Sequence, residues 1–226
     1  KYGLKGSDQP YHISLIKAIR DNKHRFIVSH PQILGEKYFA YPQFYHWLLS
    51  FLSLSNLKRN YWLFSVGMNT MQMFVFFVFS YIMYPFLKIS LSIELYFLIS
   101  GFIFIITPFS YAIWNAKNTG ISVRGFGLLL GQSYLYLIII HAITHNIIIL
   151  VAAIGIAFLI LISSQFTMQF LVLSSPFLAF LFNNPLILII PIIAFFLFFL
   201  LMPKISRNFI IGQLNHKKLY FMYLSR

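Results

Sequence analysis

The sequence contains no cysteine among its 226 residues and only four acidic residues, Asp8, Asp21, Glu36 and Glu94. The absence of cysteine excludes a disulfide framework, a thiolate metal site and a cysteine nucleophile. Charged residues of both signs make up only 9% of the chain, whereas about a quarter is usual in a soluble domain. An ordinary soluble fold is therefore excluded.

Basic residues outnumber acidic ones: 17 Lys and Arg residues give the chain a net charge of +13. Such a balance is often found in proteins that bind nucleic acid. Here the basic residues flank apolar runs, and 59% of all residues are hydrophobic. The predicted partners are therefore membrane lipids, whose headgroups and phosphates are anionic, and not nucleic acid.

The chain divides into three parts by composition. Residues 1–60 are polar and aromatic and hold nine of the 17 basic residues. Residues 61–203 are dominated by apolar runs, and the 79 residues between Arg124 and Lys204 include no Asp, Glu, Lys or Arg. Residues 204–226 form a basic, aromatic tail, which is suited to a short helix along the membrane interface.

The apolar runs predict an all-α, polytopic bundle of transmembrane helices. Lipid cannot satisfy bare backbone groups, and the runs lack the alternation of barrel strands. A helix needs about 20 mostly apolar residues to cross the hydrocarbon core. On this length we expect six spans, with five as the alternative, at about 62–84, 91–114, 126–143, 146–163, 168–183 and 185–203.

The segment around Asp8 carries the first candidate chemistry. Ser7 or Asp8 is suited to cap a helix and Pro10 to its first turn, so a helix is predicted over residues 9–21. Two roles are open for Asp8. A helix cap is the simpler one; the other is a general base whose pKa is raised beside lipid and which takes a proton from an acceptor hydroxyl. His12 follows one helical turn later.

An aromatic segment follows about 30 residues after His12 and contains Tyr41-Pro42 and then Tyr45-His46-Trp47. The residue before a proline is extended or in a turn, so a helix is predicted to start at Pro42. Tyr, Trp and His at this point are also typical of anchors at a membrane interface. Interfacial anchoring is therefore the alternative to a role in a site.

Asp8 at a helix start, His12 one turn later and the segment 41–47 together resemble the first large loop of GT-C type membrane glycosyltransferases. This superfamily includes the protein O-mannosyltransferases, the lipid A aminoarabinose transferase and the oligosaccharyltransferase catalytic subunit. In it the loop follows the first transmembrane helix, faces away from the cytoplasm and carries a catalytic carboxylate. The donor is usually a polyprenyl-phosphate-linked sugar, and most members invert the anomeric centre.

The resemblance implies that Asp8 is the catalytic residue and that His12, Tyr41 and His46 line the substrate cavity. It covers about the first quarter of the chain and the general pattern of spans. It also implies that the first transmembrane helix of the family precedes Lys1. The chain is accordingly expected to be a fragment that lacks this helix.

A second loop, residues 115–127, is two predicted spans further along and returns to the side of Asp8. It contains Ser122 and Arg124 among glycines. A guanidinium offers a fork of donors and glycine lets backbone amides approach, so this loop is a candidate phosphate site. The simpler alternative is that Arg124 is a basic residue that marks the end of a membrane-spanning helix. Some relatives bind a divalent metal through acidic residues in this loop; none occurs here, so a metal requirement stays open and no cofactor is predicted.

Two indications of orientation disagree. With six spans, residues 1–60, the second loop and the tail lie on one side and carry 16 of the 17 basic residues. The positive-inside rule assigns that side to the cytoplasm, although long loops follow the rule poorly. The resemblance assigns it to the extracytoplasmic side, and we follow the resemblance.

The expected function is that of a membrane glycosyltransferase in the cell membrane. It moves a sugar from a polyprenyl-phosphate donor to a cell-envelope acceptor, whether lipid, glycan or protein, and Arg124 stabilises the leaving phosphate. The alternative is a non-enzymatic transporter or an envelope-assembly scaffold. Transporters usually place ionisable residues or broken helices at mid-bilayer, and the uncharged block 125–203 counts against transport.

Overall fold

The computed structural model describes residues 9–28, 41–106, 120–121 and 123–224. Within these ranges every regular element is helical, which confirms the all-α prediction. Three short helices come first: α1 (Gln9–Asp21), α2 (Phe44–Ser50) and α3 (Leu54–Arg59). Longer, mostly apolar helices follow: α4 (Tyr61–Met83), α5 (Ile93–Ile106), α6 (Val123–Thr144), α7 (Ile147–Ser163), α8 (Gln165–Leu181), α9 (Leu186–Leu201) and α10 (Pro203–Leu224).

In the described part of the chain, two helices are long and apolar enough to cross a membrane: Tyr61–Phe86, which is α4 with the 3-10 turn that ends it, and α6. A third span results if α9 and Pro203–Gly212 of α10 are counted together across their bend of 116°. The apolar helices α5, α7 and α8 have 17 residues or fewer. The chain is thus a membrane protein with two or three spans by length, and six spans are not confirmed.

The helix ends coincide with the polar breaks of the sequence. Asn146 precedes α7, and its Oδ1 accepts a hydrogen bond from the Ile148 N–H at 2.8 Å. Ser164 ends α7 and also caps α8, because its Oγ accepts from the Thr167 N–H at 3.3 Å. A cap of this kind satisfies a backbone donor that the first helical turn leaves unpaired. The break at residues 163–165 is therefore a tight corner between two helices.

The bundle is built around α7. Helices α6 and α9 pack along α7, and α8 contacts all three. Ala153 and Ala157 of α7 are fully buried, and small side chains at such positions let helices approach closely. On the outside, α4 packs against α6 and α5 against α4. Leu98 of α5 is 71% exposed and Phe180 of α8 is 87% exposed, which is typical of a surface that meets lipid.

The N-terminal helices share the core of the bundle. Helix α1 packs against α2 and α3, and α2 packs against α7. Ile13 and Tyr45 belong to the same buried cluster as residues of α6 to α9, and the Tyr45 ring stacks on Phe126 of α6 at 4.9 Å. The division at residue 60 is one of composition, and the core continues across it.

Candidate functional site

Helix α1 positions His12 against the bundle. The helix spans Gln9–Asp21, as predicted from its proline and its apolar pattern. Its apolar residues Ile16 and Ile19 are fully buried, while Lys17 is exposed. Burial of this face fixes the rotation of the helix about its axis, and as a result His12 points toward α2 with only 8% of its surface exposed.

His12 and His46 are in direct contact. His12 Nδ1 lies 2.9 Å from His46 Nε2, while the ring centroids are 5.1 Å apart and the ring planes differ by 27°. Because the centroids are much farther apart than the nitrogens, the two nitrogens point at each other. One proton lies between them in a hydrogen bond. The structure therefore brings together two residues that are 34 positions apart in the chain.

Tyr41 covers the histidine pair from one side. Its ring centroid lies 6.5 Å from that of His12 and 5.6 Å from that of His46. Tyr11 of α1 packs edge-on against Tyr41 at 5.4 Å. Three of the predicted site residues thus form one aromatic cluster, which we call the histidine cluster: His12, Tyr41 and His46.

Gln43 joins the start of α2 to the segment after α1, although its sequence context did not single it out. Its side-chain Oε1 accepts from the Ile27 N–H at 2.8 Å, and its Nε2 donates to the Ile27 carbonyl at 2.7 Å. Gln43 is also the N-cap residue of α2, so this helix starts at Phe44 and the prediction of Pro42 was wrong. An amide side chain pairs with both polar groups of one peptide residue, but a single sequence does not distinguish it from a surface Gln.

The second loop reaches the start of α1. The Ile121 N–H donates to Gln9 Oε1 at 3.2 Å, and Gln9 Nε2 donates to the Ile121 carbonyl at 3.4 Å. Gly120 has φ of +122°, and a Cβ there would lie 2.6 Å from Gln9 Nε2, so this position requires glycine. Asp8, which precedes Gln9, and Ser122, which follows Ile121, lie outside the described residues.

Arg124 lies in the first turn of α6 and is exposed. Leu128, Gly131 and Leu135 follow it at positions i+4, i+7 and i+11, which share one face of a helix. These three residues line a groove of about 440 Å³ between α4, α5, α6 and α8. The remaining lining residues are mostly aromatic or aliphatic: Phe76, Ile103, Phe104, Gln132, Tyr136, Phe166, Thr167 and Phe170. Arg124 does not line the groove itself; it precedes the first lining residue of α6, Leu128, by one helical turn.

Two glutamines tie α4 to α6 beside this groove. Gln72 Nε2 donates to the Gly125 carbonyl at 3.1 Å, and Gln132 Nε2 donates to the Gln72 carbonyl at 3.1 Å. Gln132 Nε2 also donates to the Tyr136 hydroxyl at 3.0 Å. This network was not predicted from the sequence, although a lone Gln inside an apolar span is a recognisable signal for it, because polar groups in lipid need partners.

Burial controls the protonation of His46. Burial of the fully enclosed His46 holds its pKa well below 6.5, and the neighbouring His12 adds to this effect. The next residue, Tyr45, is 2% exposed, and burial raises its pKa as well. Both shifts favour the neutral form of the side chain. His46 is therefore neutral at pH 7.

The neutral state of His46 predicts a stability that depends on pH. Unfolding returns the pKa of His46 to about 6.5, so below that pH the unfolded chain binds a proton that the folded chain does not. We expect full stability above pH 6.5 and a loss below it of up to about 1.4 kcal/mol per pH unit. Thermal unfolding in detergent between about pH 7.5 and 5 measures this loss. His46→Gln should reduce the slope, and equal slopes in both proteins would contradict the assignment.

In the described ranges no three His, Cys, Asp or Glu side chains come together as a metal site. Comparison with known proteins adds no relative: no family model, no curated protein and no solved structure matches the chain. The candidate site is therefore defined by its own residues. It consists of the histidine cluster, the contact between Gln9 and the second loop, and the groove below Arg124.

Proposed function

We propose that the chain is a membrane glycosyltransferase that transfers a sugar from a polyprenyl-phosphate donor to a cell-envelope acceptor at the extracytoplasmic face. The observation that carries the proposal is the pair of hydrogen bonds between Gln9 and Ile121. Gln9 directly follows Asp8, and Ile121 is three positions before Arg124. Asp8, the proposed base, and Arg124, the proposed phosphate ligand, thus belong to two chain segments that these hydrogen bonds connect.

The proposed reaction is an inverting displacement at the anomeric carbon. Asp8 takes the proton of the acceptor hydroxyl, and the acceptor oxygen forms a bond to the anomeric carbon. The bond from that carbon to the phosphate oxygen breaks, and the lipid phosphate leaves with the electron pair. Arg124 offsets the negative charge that develops on the phosphate. His12, Tyr41 and Ser122 line the cavity in which this takes place.

The groove below Arg124 supports a lipid-linked donor. Arg124 and Leu135 are 11 positions apart on α6, which is about 16 Å along a helix. A lipid phosphate at Arg124 would have its aliphatic chain beside apolar walls over this distance. A guanidinium also matches the geometry of a phosphate better than an ammonium does. Charge and shape together favour an anionic head with a hydrophobic tail.

The proposal includes a GT-C-like bundle in which the shorter apolar helices also lie in lipid. Leu98 of α5, Val151 of α7 and Phe180 of α8 are between 61% and 87% exposed. Exposed apolar side chains of this size are costly in water and are stable in a bilayer. Helices somewhat shorter than the hydrocarbon core are accommodated by local thinning of the bilayer. Six spans are therefore part of the proposal.

The orientation of α6 tests the proposal. Lys17 of α1 and Thr144 at the end of α6 are both exposed, and α6 has 22 residues, or about 33 Å. We expect a membrane-impermeant maleimide to label Lys17→Cys of the full-length protein in intact cells. The matched Thr144→Cys variant should react only after the membrane is opened. The reverse pattern would place α1 in the cytoplasm and contradict transfer at the outer face.

A further inference from the structure

We propose that the end of α1, the turn that follows it and the end of α2 form a surface that binds the headgroups of anionic phospholipids. We call this surface the basic patch, and its residues are Arg20, Lys23, Arg25, Phe51 and Leu52. The inference goes beyond the proposed function, because lipid binding at this surface requires neither a sugar donor nor transfer. It assigns α1 and α2 to the depth of the lipid headgroups.

The basic patch carries an excess of positive charge. Arg20, Lys23 and Arg25 are all exposed. Asp21 is the one acidic residue among residues 20–25. Basic residues that cluster next to a membrane span attract anionic lipids. The charge of the basic patch therefore matches a phospholipid with a net negative headgroup.

Exposed apolar side chains lie beside these cations. The Arg20 guanidinium donates to the Leu52 carbonyl at 3.4 Å, and the His24 ring stacks on Phe51 at a centroid distance of 4.4 Å. Phe51 is 58% exposed and Leu52 is 43% exposed. Side chains of this size are costly in water, whereas a bilayer interface accepts them together with basic residues. A soluble anion would leave them in water, so a membrane lipid is the partner that fits both the charge and the apolar surface.

The turn after α1 is held in one conformation by α2. Lys23 and His24 have left-handed backbone conformations, with φ of +54° and +56°, which cost free energy in residues other than glycine. The Trp47 indole N–H donates to the His24 carbonyl at 2.9 Å, and His24 Nδ1 lies 2.7 Å from Ser50 Oγ. These two contacts fix the turn. Lipid binding therefore requires little further ordering of the backbone, which favours affinity.

The start of α4 places the basic patch near the surface of the bilayer. Helix α4 begins at Tyr61 and is long and apolar enough to cross a membrane. Trp62 in its first turn is 52% exposed, and Trp is typical of the membrane interface. Residues 53–60, between the patch and α4, include α3, whose six residues extend about 9 Å. Helix α3 also packs against α1. The basic patch therefore lies close to the level at which α4 enters the membrane.

Quenching of Trp47 measures lipid binding at the basic patch. Trp47 packs on Phe51 at a centroid distance of 5.2 Å, and Trp62→Phe with Trp114→Phe leaves it as the one tryptophan of the chain. The full-length protein in micelles of a neutral detergent is titrated with phosphatidylglycerol whose acyl chains carry bromine, and with phosphatidylcholine brominated in the same way. We expect phosphatidylglycerol to quench Trp47 at a lower mole fraction than phosphatidylcholine. Equal quenching by the two lipids, or quenching by neither, would overturn the proposal.

Lys23→Gln and Lys88→Gln are a matched pair for the role of charge. Both lysines are exposed and have left-handed φ angles, +54° and +49°, but Lys88 follows the other end of α4. We expect Lys23→Gln to raise the mole fraction of phosphatidylglycerol needed for half-maximal quenching about fivefold, which corresponds to about 1 kcal/mol for one basic residue near an anionic surface. Lys88→Gln should leave it unchanged. Equal effects of the two substitutions would contradict binding at the basic patch.

A triple variant tests the whole patch. With Arg20→Gln, Lys23→Gln and Arg25→Gln together, we expect Trp47 to be quenched alike by phosphatidylglycerol and phosphatidylcholine. The three side chains are exposed, so their loss leaves the core intact. A triple variant that keeps the preference for phosphatidylglycerol would overturn the proposal. The assay requires no sugar transfer, so a failure of the proposed glycosyltransferase function is a separate result.

Discussion

Replacement of Asp8 by Asn is expected to reduce sugar transfer by a factor of about 10² to 10⁴, the usual contribution of a general base. The amide has nearly the size of the carboxylate but does not take a proton from the acceptor hydroxyl. Asn is as good a helix cap as Asp. The substitution therefore separates the two roles open for Asp8, because it removes a base and keeps a cap.

The measurement is transfer of a radiolabelled hexose or pentose from polyprenyl phosphate by the full-length protein in liposomes, together with thermal unfolding. Asp21→Asn is the matched control, since Asp21 is an exposed acid at the other end of the same helix. We expect the unfolding temperature of both variants to be unchanged and transfer to be lost only in Asp8→Asn. Full activity of Asp8→Asn would show that Asp8 is no more than a cap.

The second large effect is expected for Gly127→Ala in α6, which should destabilise the bundle by about 1–3 kcal/mol. A Cβ at Gly127 would lie 2.7 Å from Ser164 Cβ and would also overlap the hydroxyl oxygens of Ser164 and Thr167. Both neighbours are 2% exposed, and the Thr167 hydroxyl donates to Ser164 Oγ at 3.1 Å. These short side chains have no room to move, so α6 and α8 must separate.

Gly155→Ala of α7 is the matched control for this prediction. A Cβ at Gly155 has nothing within 4 Å, and alanine favours a helix more than glycine does, by about 0.5–1 kcal/mol. Thermal unfolding in detergent should therefore show a lower transition temperature for Gly127→Ala and an unchanged or higher one for Gly155→Ala. Equal transition temperatures in the two variants would mean that α6 and α8 do not approach as closely as described.

The effect of Gly127→Ala on stability also reaches the site. Gly127 is one turn after Arg124, and the contact between Ile121 and Gln9 directly precedes the same helix. Separation of α6 from α8 would move the start of α6 away from α1. A loss of transfer in this variant would follow from misplacement, because Gly127 itself carries no reactive group.

The sequence by itself determined the all-helical membrane class of the protein and the ends of several of its helices. Apolar runs force helices because lipid offers no partners to the backbone. At the polar breaks, the side chains of Asn146 and Ser164 cap the helices that follow, by accepting hydrogen bonds from backbone N–H groups two and three residues further on. Pro10 and the apolar face of α1 predicted its bounds. All of these are local effects, and a single sequence contains what is needed to predict them.

Only the tertiary structure decided which of these residues meet. The bond between His12 and His46 spans 34 positions and the bonds between Gln9 and Ile121 span 112. Such contacts depend on how the buried faces of α1, α2 and α6 pack, and no short pattern encodes that. The roles of Asp8 and Ser122 stay predictions, since both lie outside the described residues. The contact of α1 with the second loop, and the proton between two buried imidazoles, were decided by packing between distant parts of the chain.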